Sequence, residues 1–89
     1  MILWSLEYDR EVVQYLVSLR ESGSDIRRAI KSLQQGIPDD ARKVQDVPET
    51  WEWPEARHWV TFKVDRERKW IYIADVSEMG EGAVSQYLH

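Results

Sequence analysis

Residues 57–69 hold the densest set of side chains able to act on a phosphate. Arg57, Lys63, Arg66, Arg68 and Lys69 stand there against Asp65 and Glu67, a net charge of +3. Guanidinium and ammonium groups stabilise anionic oxygens because their hydrogen bonds to them are charge-assisted. Trp59, Trp70 and Tyr72 lie among or just after these cations. Such rings stack on nucleobases or pack into protein interfaces. Glu52 is a candidate base, and His58, Tyr87 and His89 are candidates to exchange protons. Each also has a purely structural reading. Glu52 and Lys63 can form a solvated cross-strand pair, His58 can be a hydrogen-bonded packing residue, and Arg27, Arg28 and Lys31 can be solvated helix surface. From 75 to 89 the balance reverses, with Asp75, Glu78 and Glu81 and no Lys or Arg, a net of −3.

Composition limits the chemistry further. The whole chain carries −4, whereas proteins that grip phosphate backbones are usually basic. It has no cysteine, which excludes disulfides, zinc thiolates and thiol catalysis. Two histidines far apart offer no metal-ligand spacing, no Gly-rich phosphate loop is present, and no cofactor is expected. No apolar run approaches the ~20 residues of a membrane span. The N-terminus has no early Lys or Arg and no cleavage pattern, so no signal peptide is expected and the reading is cytoplasmic.

The elements that must position these residues follow from periodicity. Eighty-nine residues suit a single domain, 1–89, and five tryptophans enlarge an otherwise modest core. Trp4, Leu6 and Tyr8 alternate with Ser5 and Glu7, a strand pattern. Asp9 is placed to cap a helix running to about residue 20, with Val12, Val13, Leu16 and Leu19 on its apolar side. Gly23 breaks that helix, and Ser24 or Asp25 caps a second. Ile26, Ala29, Ile30 and Leu33 have the spacing i, i+3, i+4, i+7. Residues 36–48 read as a polar connection. Three strands follow: 50–53, 58–64 and 69–76, with turns at 54–57 and 65–68. Gly80 and Gly82 loosen what comes after, and 80–89 is expected to be a tail or to include one helical turn. The fold class is α+β, with the order β-α-α-β-β-β, an antiparallel meander and two helices on one face.

Four-residue turns set Val64 opposite Lys69, Phe62 opposite Ile71, Val60 opposite Ile73, Trp53 opposite His58 and Trp51 opposite Val60. The helices then cover Trp51, Trp53, Val60, Phe62, Ile71 and Ile73. The other face carries Glu52, Trp59, Thr61, Lys63, Trp70, Tyr72 and Ala74. Three large aromatics on neighbouring strands suggest a contact surface, unless cross-strand packing or the C-terminal tail covers them.

Three ordered stretches carry a resemblance. They are Trp4-Ser5-Leu6-Glu7-Tyr8 with the acidic helix after it; Lys43-Val44 with Pro48-Glu49-Thr50-Trp51-Glu52; and His58-Trp59-Val60-Thr61-Phe62-Lys63-Val64-Asp65 followed by Trp70 to Val76. Across roughly residues 3–77 the chain resembles the RelE-like toxins of toxin–antitoxin systems. The resemblance implies a toxin that inhibits translation by cutting mRNA in the ribosomal A site, and an antitoxin that neutralises it. It places a basic residue at Lys43. A related branch, the ParE proteins, poisons gyrase and usually has longer first helices. Two positions depart from the pattern. Trp59 stands where Arg is usual, and Ser77-Glu78-Met79 stands where the last strand usually runs into Gly-His-Arg or Gly-Lys-Arg. Cutting RNA by 2′-hydroxyl attack needs cations on the phosphate, which these departures remove.

Two functions are therefore weighed. One is a ribosome-dependent ribonuclease, with Lys43, Arg57 and Lys63 as the catalytic cations and Trp59, Trp70, Tyr72 and Glu52 binding the substrate. The other is a toxin-like fold without nuclease activity, whose aromatic face grips a partner protein or a second copy of itself. In either case Trp59→Ala is expected to weaken binding while leaving the melting temperature nearly unchanged. A large loss of stability would place Trp59 in the core.

Overall fold

The structure is a computed structural model that describes residues 3–79. The proposed tail 80–89, with Tyr87 and His89, lies outside the described residues. The elements run β1 (Ser5–Tyr8), α1 (Arg10–Ser18), α2 (Ser24–Lys31), β2 (Arg42–Lys43), β3 (Thr50–Glu55), β4 (His58–Asp65) and β5 (Trp70–Glu78). They form one five-stranded sheet in the order β1-β5-β4-β3-β2. β1 pairs with β5 in parallel, and the remaining pairings are antiparallel. β2 is an addition to the expected order, arising in the stretch read as a connection. No helix among the described residues is long and apolar enough to cross a membrane.

Asp9 caps α1 as its position predicts: its carboxylate Oδ1 accepts from the Glu11 amide at 3.0 Å. The first helix ends at Ser18, earlier than expected, and a 3-10 turn over Arg20–Gly23 leads into α2. Gly23, not Ser24 or Asp25, is the N-cap of α2, and no side chain caps it. A Cβ on Gly23 would lie 2.7 Å from the Leu19 Cβ, so this turn leaves room only for glycine. Of the apolar positions expected to pack from α1, Val12 and Leu16 are buried, whereas Val13 is 44% exposed.

Both helices lie on one face of the sheet. The core there joins Val12, Leu16, Ile26, Ile30 and Leu33 to Trp53, Val60, Phe62, Val64, Ile71, Ile73 and Val76. β4 alternates strictly, with His58, Val60, Phe62 and Val64 buried and the residues between them facing away.

The registers differ from expectation by two residues. Val64 stands opposite Ile71 and Phe62 opposite Ile73, because the β4–β5 loop is Arg66–Lys69 rather than 65–68. Trp53 stands opposite Val60 and Trp51 opposite Phe62, because β3 runs on through Pro54 and Glu55. Pro54 is tolerated there since β2 pairs only with Trp51 and Glu52, leaving the proline on an edge. The hairpin then closes through Ala56 (φ 50°) and Arg57 (φ 63°), the left-handed pair that a tight two-residue turn requires. A slip of two preserves every side chain's face, so the two faces remain as expected up to Ile73.

Beyond Ile73 they do not. Phe62 pairs with Ile73 but Thr61 pairs with Asp75, so Ala74 is the extra residue of a β-bulge. The bulge returns Val76 to the core opposite Val60 and turns Asp75 and Ser77 to the open face. Phe62 sits at the middle of this packing with no exposed surface. Phe62→Ala is expected to cost about 3–5 kcal/mol, the range for emptying a large core site. Urea unfolding measures it; a loss under about 1 kcal/mol would contradict this packing.

Candidate functional site

Pairing sorts the open face into rows, because residues directly opposite in the ladder share a side. Asp65, Trp70 and Ser5 form one row. Thr50, Lys63, Tyr72 and Glu7 form the next. Arg42, Glu52, Thr61 and Asp75 follow, then Pro54, Trp59 and Ser77. The predicted binding residues Glu52, Trp59, Trp70 and Tyr72 thus share one face, all of them partly buried.

The three candidate catalytic cations do not converge. Lys43 stands opposite Trp51, on the row facing the helices, and its ammonium reaches Glu49 at 4.0 Å. Glu49 also meets Arg66 at 3.4 Å. Lys63 lies on the open face and lines a recess of about 360 Å³ with Asp65, Trp70 and Tyr72. Arg57 is at the hairpin tip, on the rim of a different recess of about 530 Å³ that includes Tyr15, His58 and Glu78.

At the β2 edge two cations meet one ring. Arg42, Lys43, Glu52 and Trp59 line a recess of about 440 Å³. Arg42 was not singled out from sequence; its neighbour Lys43 was, but both were read as loop. In this recess two cations, a carboxylate and an indole are within reach of one ligand.

His58 is a core residue, as its position implied. The Ala56 carbonyl can only accept, so Nδ1–H donates to it at 2.7 Å. Nε2 then accepts from the Tyr15 hydroxyl at 2.8 Å. The two rings meet edge to face at 5.7 Å between centroids. Burial, with Glu78 nearby, raises the Tyr15 pKa and keeps the hydroxyl a donor. Both ring nitrogens are thus engaged, which suits a clamp between α1 and the hairpin better than a proton carrier.

Tyr72 has a second task that sequence did not reveal. Its hydroxyl donates to Asp9 Oδ2 at 2.7 Å, reaching from the open face to the cap of α1. This bond lowers the Asp9 pKa first, helped by the Glu11 amide, and raises that of Tyr72. Among the described residues, no group of three or more His, Cys, Asp or Glu could hold a metal ion.

No protein-family model matches the sequence, and no curated protein does. Solved structures do. The archaeal RelE–RelB complex from Pyrococcus horikoshii OT3 superposes with a TM-score of 0.74 at 17% identity, over 90% of this chain and 99% of that one. The isolated E. coli RelE toxin gives 0.64 at 11% identity, over 96% and 94%. The chromosomal ParDE system from P. aeruginosa gives 0.60 at 20% identity, over 88% and 98%. The chain therefore has a RelE-like α+β fold.

Because the folded Asp9 carboxyl titrates below its unfolded value, its contribution to stability is present above roughly pH 4. That contribution is lost as pH falls through the lowered value. The gap in urea midpoint between wild type and Asp9→Asn is expected to be open at pH 7 and to narrow steadily on acidification below about pH 4. A gap independent of pH would contradict the Tyr72–Asp9 bond.

Proposed function

We propose that this protein is the toxin component of a toxin–antitoxin pair, acting through the open face of its sheet by occupying its target rather than cutting RNA. The toxin reading is an argument from fold, supported by likeness to RelE and ParDE structures. The placement of the cations carries the second half. Cleavage by 2′-hydroxyl attack needs a base, an acid and charge stabilisation gathered at one phosphorus. Lys43, Arg57 and Lys63 open onto three separate recesses.

An antitoxin would need an apolar surface to cover. Val13 and Val17, 44% and 69% exposed, line a recess with Tyr8, Leu16, Arg27 and Lys31. Tyr8, Val13 and Val17 are three of the five exposed large apolar side chains among the described residues, and this is the surface proposed for the antitoxin.

Ribosome-dependent mRNA cleavage is the second reading, favoured by the recess at the β2 edge. There Arg42 and Lys43 would hold the phosphate, Glu52 would take the 2′-hydroxyl proton as that oxygen attacks phosphorus, the 5′-oxygen would leave with a proton from water, and Trp59 would stack on a base for roughly 1–3 kcal/mol. Induced expression in a bacterial host, with growth curves and mapping of mRNA 5′ ends, separates the readings. Growth arrest with intact transcripts is expected. Arrest with A-site cuts that disappear in Arg42→Ala/Lys43→Ala would establish cleavage instead. Normal growth with the protein visible on an immunoblot would overturn both.

A further inference from the structure

We infer that the centre of the open face is a socket for a cationic side chain, an arginine or lysine of a protein partner. The inference rests on the proposal that this face is where the protein acts, and it names the chemistry of what is met there.

The bulge at Ala74 is the first observation. Without it, strict alternation from Ile71 and Ile73 would send Asp75 into the core and Val76 outward. With it, Asp75 stands opposite Thr61 on the open face, exposed to solvent, and Thr61 has Glu52 on its other side. Bulges commonly re-aim a side chain at a functional surface. Neighbouring strands lie ~4.8 Å apart, so the backbones at Glu52 and Asp75 are about 10 Å apart, with the short Thr61 between them. One guanidinium or ammonium group above Thr61 has a carboxylate on either side.

Charge is the second. Across the rows of the open face Arg42 and Lys63 stand against Glu7, Glu52, Asp65 and Asp75, and of these acids Asp65 is already met by Arg68 at 3.8 Å. Off this face, Glu49 pairs with Lys43 and Arg66. Glu52 and Asp75 take part in no ion pair among the described residues. Two unpaired carboxylates flanking one strand repel a phosphate and attract a cation. Trp59 and Tyr72 stand in the rows on either side, and aromatic faces add cation–π attraction for the same group.

The test is fluorescence anisotropy at low salt with two probes, fluorescein-labelled hexa-arginine and fluorescein-labelled decauridylate. The peptide is expected to bind in preference to the RNA. The variant Glu52→Gln/Asp75→Asn should weaken peptide binding by about tenfold, near 1.4 kcal/mol. The control Glu21→Gln/Glu67→Gln removes the same charge from exposed turn positions outside the Glu52–Thr61–Asp75 row and should change binding little. Equal losses in the two variants would reduce the effect to overall charge and overturn the socket, as would preferential RNA binding or no peptide binding. All the substituted groups are at the surface, and melting temperatures confirm folding. Growth arrest is scored separately: its absence with the socket intact would fault the toxin reading alone.

Discussion

Strand β4 is the constraint on which the molecule rests. It is central, paired on one side with β3 and on the other with β5, and its alternate residues Val60 and Phe62 have no exposed surface. Burying that row against Ile71 and Ile73 and beneath two short helices is the main source of stability available to so short a chain. The open face follows from the other half of the alternation. Once Val60, Phe62 and Val64 point inward, Trp59, Thr61 and Lys63 must point outward, and they define the open face.

The edges of this arrangement are secured by polar contacts that bridge layers. His58, at the start of β4, joins the Tyr15 hydroxyl of α1 to the carbonyl of the left-handed hairpin residue Ala56. At the far end of the sheet Tyr72 binds the residue that caps α1. Each buries or shields a donor that would otherwise lack a partner, and each fixes a helix against the sheet at one point. The exposed ion pairs, Lys43–Glu49, Arg66–Glu49 and Arg68–Asp65, contribute little by comparison because solvent screens them.

The open face gathers the candidate binding residues, and its charge is mixed. Its aromatic residues are in place, yet the cations are dispersed and two carboxylates occupy the centre. A nuclease and a binding module built on this fold would share the backbone and differ in the charge of this one surface. Function on such a scaffold is decided by the side chains of the site and not by the fold.

Period-two and helical spacing in the sequence were enough to determine both helices, four of the five strands, the inward row of β4 and the face of each candidate residue as far as Ile73. A strand's side chains alternate whatever its register, so a two-residue slip left those assignments intact. The Asp9 cap and the buried His58 were legible for the same local reason. Four features needed tertiary structure. β2 has only two residues and no periodicity to detect. The hairpin through Ala56 and Arg57 lacks the glycine or asparagine that usually signals a tight turn. Lys43, Arg57 and Lys63 are neighbours in a list of cations, but three-dimensional strand order sends them to three recesses. The bulge at Ala74 leaves no local mark, because one extra residue becomes visible only when two strands are aligned, and it is this residue that brought Asp75 out onto the face that carries Glu52.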